Sequence, residues 1–179
     1  MPQRRQLPPR LRSAGAQTGL ILRPLLRTDE AELLRIHRTP EVARWWDRPA
    51  EGFPWSDEPE ATRMTIEVQG AVAGMIQFNE EPEPAYRHAS IDLFLDPALH
   101  GRGLGTEAVA LLVRHLIHAR GHHRVTIDPA AANAAAIRAY EKVGFRPVGI
   151  MRRYVRDPED GGWRDGLLMD LLAGEEKIR

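Results

Sequence analysis

Seven residues, His100-Gly-Arg-Gly-Leu-Gly-Thr106, put glycines at 101, 103 and 105 between an apolar run, Ile91 to Leu95, and a stretch with helical apolar spacing. Glycine lets the backbone turn sharply and leaves no side chain in front of the amides. The start of a helix adds unpartnered N–H groups and about half a positive charge. An anion, most simply a pyrophosphate, fits such a cradle. Two familiar users of glycine loops are excluded. No Gly-x-Gly-x-x-Gly occurs, and the strand before the loop does not open a βαβ unit, so a dinucleotide fold is not indicated. The loop ends Leu-Gly-Thr, without the Lys and hydroxyl pair of a nucleoside triphosphatase. A plain strand-to-helix turn could carry the same letters, so the neighbouring residues decide.

Downstream lies Asn133-Ala-Ala-Ala-Ile-Arg-Ala-Tyr140-Glu-Lys-Val-Gly-Phe145. Asn133 and Tyr140 are almost two helical turns apart and project from one side of their helix. Together the two blocks resemble the GNAT superfamily of acetyl-coenzyme A-dependent N-acetyltransferases. Its pyrophosphate loop reads Arg/Gln-x-x-Gly-x-Gly/Ala, and its next helix reads Asn-x-x-Ala-x-x-x-Tyr-x-x-x-Gly-Phe. His100 stands where that family more often has Arg or Gln, a departure that leaves the backbone amides unaffected. The resemblance spans about residues 19 to 172. It implies an α/β (α+β) fold with a mixed, mostly antiparallel sheet, helices on both faces, and a V-shaped splay between the strands at 91–95 and 124–127. It also implies that acetyl-coenzyme A enters that splay. The diphosphate would rest on the backbone of Gly101, Arg102, Gly103, Leu104, Gly105 and Thr106, with the Arg102 side chain as an extra cation. The pantetheine arm would pair in β-fashion with Phe94 and Leu95 and meet Asn133 and Ala136.

The chemistry sets further requirements. A primary amine near pKa 10.4 is mostly protonated at pH 7, and presenting it neutral costs about 4–5 kcal/mol unless a base takes the proton. Asp92 is the leading candidate, because it alternates with the apolar Ile91, Leu93 and Leu95 and points to the opposite face of its strand. A solvent-facing aspartate is the plainer alternative. Tyr140 can hydrogen-bond the departing thiolate. A phenol near pKa 10 is a weaker acid than a thiol near 8.5, so stabilising the thiolate is the firmer role. Chain composition excludes a cysteine nucleophile, a disulfide and a thiolate zinc site, leaving direct transfer as the mechanism.

Three acidic or aromatic groups bear on the acceptor: Glu80, Glu81 and Glu83; Asp57, Glu58 and Glu60; and the Trp45-Trp46 pair. An aminoglycoside presents several ammonium groups on apolar-faced rings, which carboxylates and an aromatic platform would hold. The order of these groups is similar to aminoglycoside 6'-N-acetyltransferases. That likeness implies that Trp46, Glu80, Glu81, Asp92 and Asp128 line the acceptor site. Each clue also has a structural reading: lid packing for the tryptophans, a solvated face for the glutamates, a strand exit for Asp128-Pro129. Acceptors at ribosomal-protein or peptide N-termini, siderophore-type amines, and a non-catalytic acyl-coenzyme A-binding module stay open. Arg152, Arg153 and Arg156 are candidates for the cofactor's 3'-phosphate or for a solvated strand end.

These residues need a scaffold, and the sequence outlines one. Gly19 to Leu25 reads as a strand, and Thr28 opens a helix with Leu33, Leu34 and Ile36 inward. Thr39 to Pro59 reads as a short helix and loop. Ala61–Gln69 and Val72–Asn79 form a hairpin around Gly70, and Arg87–Leu95 is the central strand. Gly105 to Arg120 is a helix with Val109, Leu112, Val113, Leu116 and Ile117 as its buried stripe, and Gly121 ends it. A strand at Arg124–Ile127, the helix Asn133–Val143 and strands near 145–154 and 163–172 complete the set.

The chain has 179 residues, enough for one domain with a real core, expected over 19–179. Residues 1–18 hold four arginines, three prolines and no acid, and are expected to be a disordered basic leader. Lys plus Arg and Asp plus Glu are 25 each, so the remainder carries a net charge of −4, which suits a small cationic amine better than nucleic acid. No apolar run is long enough for a membrane span and no secretory signal is present, so a cytoplasmic protein is expected. His115, His118, His122 and His123 lack the companions of a metal site, and no metal is expected. Oligomeric state is not legible.

Overall fold

The computed structural model describes residues 8–12, 17–55 and 61–177. Its elements are β1 (Leu11–Arg12), β2 (Leu20–Pro24), a 3₁₀ turn Arg27–Asp29 running into α1 (Glu30–His37), α2 (Pro40–Ala43), β3 (Thr62–Val68), β4 (Ala71–Glu80) and β5 (Ala89–Leu95). There follow α3 (Leu104–Arg114), β6 (Arg124–Ile127), α4 (Ala134–Val143), β7 (Arg146–Arg156) and β8 (Trp163–Leu172). One sheet runs β1-β2-β3-β4-β5-β6-β8-β7. Every neighbouring pair is antiparallel except β5 with β6.

Local chemistry explains most of these boundaries. The β3–β4 hairpin closes on Gln69 and Gly70, both with positive φ, the two-residue turn whose twist matches paired strands. The stripe expected on α3 is fully buried: Val109, Leu112, Val113, Leu116 and Ile117 are all at most 7% exposed. The α-helical part ends sooner than its apolar spacing suggests. From His115 to Ala119 the helix widens into a π turn, and Gly121 follows with φ +71°. The helix expected from Thr28 likewise begins as the 3₁₀ turn and becomes α-helical only at Glu30.

The two faces of the sheet carry two cores. On one, Ile91 and Leu95 of β5 pack with α3 and with Tyr140, Val143 and Phe145. On the other, Met75 and Phe94 pack with Leu33, Ile36, Val42 and Phe53. Helices therefore cover both faces, as the family pattern implied. Beneath α1, the buried Arg23 guanidinium donates to both oxygens of Asp29, at 2.6 and 2.9 Å, and to Glu67 at 2.5 Å. Thr65 adds a 2.7 Å bond to Asp29. This tie fixes the first helix to β2 and β3.

Part of the segment expected to be a disordered leader, residues 8–12 and 17–18, is described. Leu11 and Arg12 pair with Leu22 and Ile21, Leu11 packs on the core, and the Thr18 hydroxyl donates to Glu107 at 3.0 Å. The averaged composition of the segment hid one apolar side chain that has a place beside β2. Residues 1–7 and 13–16 lie outside the described residues.

β5 and β6 share ladder partners only at Ala89–Val125 and Ser90–Thr126. Beyond Ser90, β5 continues to Leu95 with its β6-side edge unpaired. This is the splay between 91–95 and 124–127, and the site is built in it.

Candidate active site

Which backbone groups face the opening follows from the β4 contact. A Cβ built on Gly74 would stand 2.1 Å from the Phe94 carbonyl oxygen, so that carbonyl is turned against β4. Asp96 likewise donates its N–H to Ala73 of β4. Strand alternation then turns the N–H and C=O of Leu93 and Leu95 toward the bare edge. Of the two residues expected to pair there, Leu95 turns its backbone groups to this edge and Phe94 turns its own to β4, while Leu93 faces the edge with Leu95. The Leu95 carbonyl lies 3.1 Å from His100 Nε2, which gives the departing histidine a job in shaping the loop.

At the end of this edge, Gly101 and Gly103 take positive φ (+76° and +77°), and Gly103 is the N-cap of α3, its carbonyl accepting from Glu107. The amides of Leu104, Gly105 and Thr106 are the first of the helix and have no partner within it. A cleft of about 400 Å³ runs from here along β5 to α4. Gly101, Gly103, Leu104, Gly105 and Thr106 line it, with Leu93, Phe94, Leu95, Asn133, Ala136 and Tyr140. The Arg102 side chain is exposed and lies outside that lining. The cations that do line the cleft are Arg138 and Lys142. Sequence reasoning missed this pair, although their i, i+4 spacing beside Ala135 and Ala139 marks one helix face.

Asn133 N-caps α4, its Oδ1 accepting from Ala136 N–H at 3.2 Å, so its side-chain oxygen serves the helix. Tyr140 sits inside, 8% exposed, its ring edge-on to Phe145 at 6.2 Å. Burial, and after it the charges of Asp92 and Asp128, push its phenol well above the usual range. Tyr140 is thus a firm hydrogen-bond donor and a poor proton source.

Two carboxylates bear on that hydroxyl. Asp92 is exposed on β5, its Oδ1 accepting from Leu93 N–H at 2.8 Å; across β4 stands Gln77, held by Arg63 at 3.0 Å. Asp128, just past β6, is half-buried. Burial raises its pKa above the ordinary carboxylate range, and a hydrogen bond from Tyr154 works in the opposite direction. Trp46 lines the cleft and meets Phe94 at 5.1 Å, on the strand face that Asp92 shares. Trp45 is stacked by Arg44 and Arg164 at 4.9 and 5.6 Å, and Arg164 also donates to the Arg44 carbonyl at 2.6 Å. This ties the α2 wall to β8.

Other expected residues are elsewhere. Glu80 pairs with Ala89, roughly 10 Å along the strands from Asp92, and its carboxylate is taken by Arg120 at 2.6 Å and His122 at 2.7 Å. In this structure the carboxylate expected at the acceptor site is engaged by those two side chains. Glu81 belongs to the following turn, where its Oε1 accepts from Glu83 N–H. Asp57, Glu58 and Glu60 lie outside the described residues. Arg152 and Arg153 line a separate depression with Asp165, and Arg156 stacks on Trp163, all away from the cleft. Among the described residues, no three His, Asp or Glu converge as a metal site, and no helix is long and apolar enough to cross a membrane.

Residues 23–145 match the acetyltransferase (GNAT) family. Probable N-acetyltransferase YjcK of Bacillus subtilis (strain 168) is 34% identical over 93 residues, 52% of this chain and 50% of that protein, so the aligned part spans about half its length. Spermidine N(1)-acetyltransferase of Escherichia coli (strain K12) is 27% identical over 137 residues, covering 72% of this chain and 73% of that one. Among solved structures, Mycobacterium smegmatis RimJ in complex with CoA-disulfide superposes with a TM-score of 0.73 at 25% identity, covering 86% of this chain and 82% of that one.

Proposed function

This chain belongs to the GNAT acetyltransferase family, with acetyl-coenzyme A as its co-substrate, and we propose that it acetylates a primary amine on a small polycation, an aminoglycoside 6'-amine or a polyamine. The observation that carries this reading is the pair of carboxylates, Asp92 and Asp128, whose charges both act on the Tyr140 hydroxyl at the cleft wall. Two carboxylates whose charges meet at this one point favour a cationic acceptor there, while the positive side chains that line the cleft, Arg138 and Lys142, stand on α4. The 27% identical spermidine N(1)-acetyltransferase supports the same acceptor class.

The cleft suits the co-substrate on three counts: a bare β-edge for the pantetheine amides, unpartnered helix amides for the diphosphate, and Arg138 and Lys142 for further phosphate charge. When bound, acetyl-coenzyme A supplies an electrophilic thioester carbonyl and a thiolate leaving group. Asp92, exposed, receives and orients the ammonium. Asp128, its basicity raised by burial, takes one proton from the ammonium so that the neutral nitrogen can attack, and the second N–H proton passes to solvent as the tetrahedral intermediate collapses to the amide; this moves the role of base from the residue the sequence favoured. Tyr140 donates its O–H to the departing sulfur and keeps its proton.

The test is coenzyme A release with matched aminoglycosides bearing a 6'-amine or a 6'-hydroxyl, with spermidine, and with an alanine-initiated peptide. Turnover with the 6'-amine compound alone, or with spermidine, supports the reading and names the acceptor. Turnover with the peptide only would replace it by N-terminal acetylation.

A further inference from the structure

The hairpin of β7 and β8 contains a distortion that the proposed reaction has not yet used. Between the pairs Met151–Gly166 and Val155–Arg164, three residues of β7 stand opposite the single residue Asp165. Arg153, inside this bulge, has φ +50°, in the left-handed region that non-glycine residues rarely adopt, and its amide is held by the Asp165 carboxylate at 2.8 Å. Bulges of this kind re-aim a side chain, and they gather beside functional sites. The side chain re-aimed here is Tyr154. Its ring lies on Gly166, where a Cβ would come within 2.8 Å of ring carbon Cδ1, and its hydroxyl reaches the Asp128 carboxylate. The segment following Asp128 is pinned to the same stretch of β8: Leu167 donates to the Pro129 carbonyl and Ala131 to that of Asp165, both at 2.9 Å. Asp128 and Tyr154 are therefore fixed to one three-residue piece of β8, from opposite sides.

Resting on the acceptor reading above, we propose that Tyr154 is a positioning residue, delivered by the β7 bulge over Gly166, that holds the Asp128 carboxylate in place for the acceptor amine. Tyr154 of β7 and a backbone N–H support the charged form of Asp128 by hydrogen bonding against the effect of burial, while Asp92 of β5 and Asp128 both act on the phenols of Tyr140 and Tyr154. The Tyr154 phenol is itself pushed up to about 12, first by this bond and then by burial, so it stays a donor through the working pH range. The residue is half-exposed.

Tyr154→Phe removes the bond and keeps the ring; Gly166→Ala keeps the hydroxyl and displaces the ring. Carboxyl-carbon NMR of the whole protein reads Asp128 directly. Its titration midpoint is expected to rise by about one pH unit in Tyr154→Phe, the size of one hydrogen bond to a half-buried carboxylate. In turnover, both variants should raise the amine KM at least several-fold, with the acetyl-coenzyme A KM unchanged, and should move the acid limb of kcat/KM for the amine to higher pH. An unmoved Asp128 midpoint in Tyr154→Phe, or loss of kcat with the amine KM and acid limb unchanged, overturns the proposal. If the wild-type protein acetylates no amine, the acceptor reading fails, and the NMR midpoint still decides whether Tyr154 governs Asp128.

Discussion

Replacing Tyr140 by Phe isolates the step at the leaving group. The ring is buried and packs edge-on to Phe145, contacts that phenylalanine retains, so folding and acetyl-coenzyme A affinity should persist. What disappears is one O–H donor to a sulfur that gains negative charge only as the thioester breaks. A hydrogen bond to a charged group is worth about 1.5–3 kcal/mol, which corresponds to a slowing of roughly 10- to 150-fold in the chemical step. Full protonation of the thiolate by an ordinary phenol is already uphill by about 2 kcal/mol, from the difference between pKa values near 10 and 8.5. Burial and the charges of Asp92 and Asp128 make the Tyr140 proton harder still to remove. The tyrosine should therefore remain protonated throughout, and no basic limb below about pH 10 should vanish in the variant. Rapid-quench single turnover at saturating amine measures the step, and calorimetry with acetyl-coenzyme A checks the binding control. A single-turnover rate within threefold of wild type, or a rate loss fully explained by weaker binding, would refute this role.

Three further outcomes follow from the scaffold. Gly74→Ala would drive a Cβ into the Phe94 carbonyl and part β4 from β5, costing about 1–3 kcal/mol, or roughly 2–12 °C in Tm by thermal melt, and weakening acetyl-coenzyme A binding. Asp29→Asn leaves the buried Arg23 with Glu67 as its one remaining anion, with an expected loss of about 1.5–3 kcal/mol in denaturant unfolding, the size of a hydrogen bond to a charged group. Burial opposes ionisation of Asp29, but the bonds from Arg23, Thr65 and the Leu26 amide hold its pKa below the usual value. Its contribution is then present above pH 4 and fades as pH falls through the depressed value, so the variant's stability should vary less with pH there than the wild type's. Glu80→Gln should lower Tm through its lost ties to Arg120 and His122 while leaving the acceptor KM unchanged; a raised KM would return Glu80 to the acceptor site.

The parts of this molecule legible in its sequence are those governed by local rules. Apolar spacing located α3 and the two-residue period located β5, because each depends on neighbours within a turn or a pleat. The glycine loop and the Asn133–Tyr140 helix were legible for the same reason, and the structure brings both to one cleft. Long-range partners were not. Glu80 reads as one member of an acidic cluster, and only the fold brings Arg120 and His122, some forty positions away, onto it. Leu93 and Leu95 turn to the cleft because of how β4 meets Phe94, which no residue letter encodes. Tyr154 reaches Asp128 through a bulge set by register between two strands, and nothing in the string 150–156 announces it. The short β1 was hidden because two residues gain their place from β2 and the core beside it.

Amide hydrogen exchange, measured with and without saturating acetyl-coenzyme A, tests the central claim that the bare edge of β5 and the start of α3 form the co-substrate site. Exchange should slow at Leu93, Leu95 and the amides from Gly101 to Thr106, with the β7–β8 hairpin little changed until an amine is added. Protection confined to another surface, or none at 93–95 and 101–106 despite measurable binding, would contradict the account.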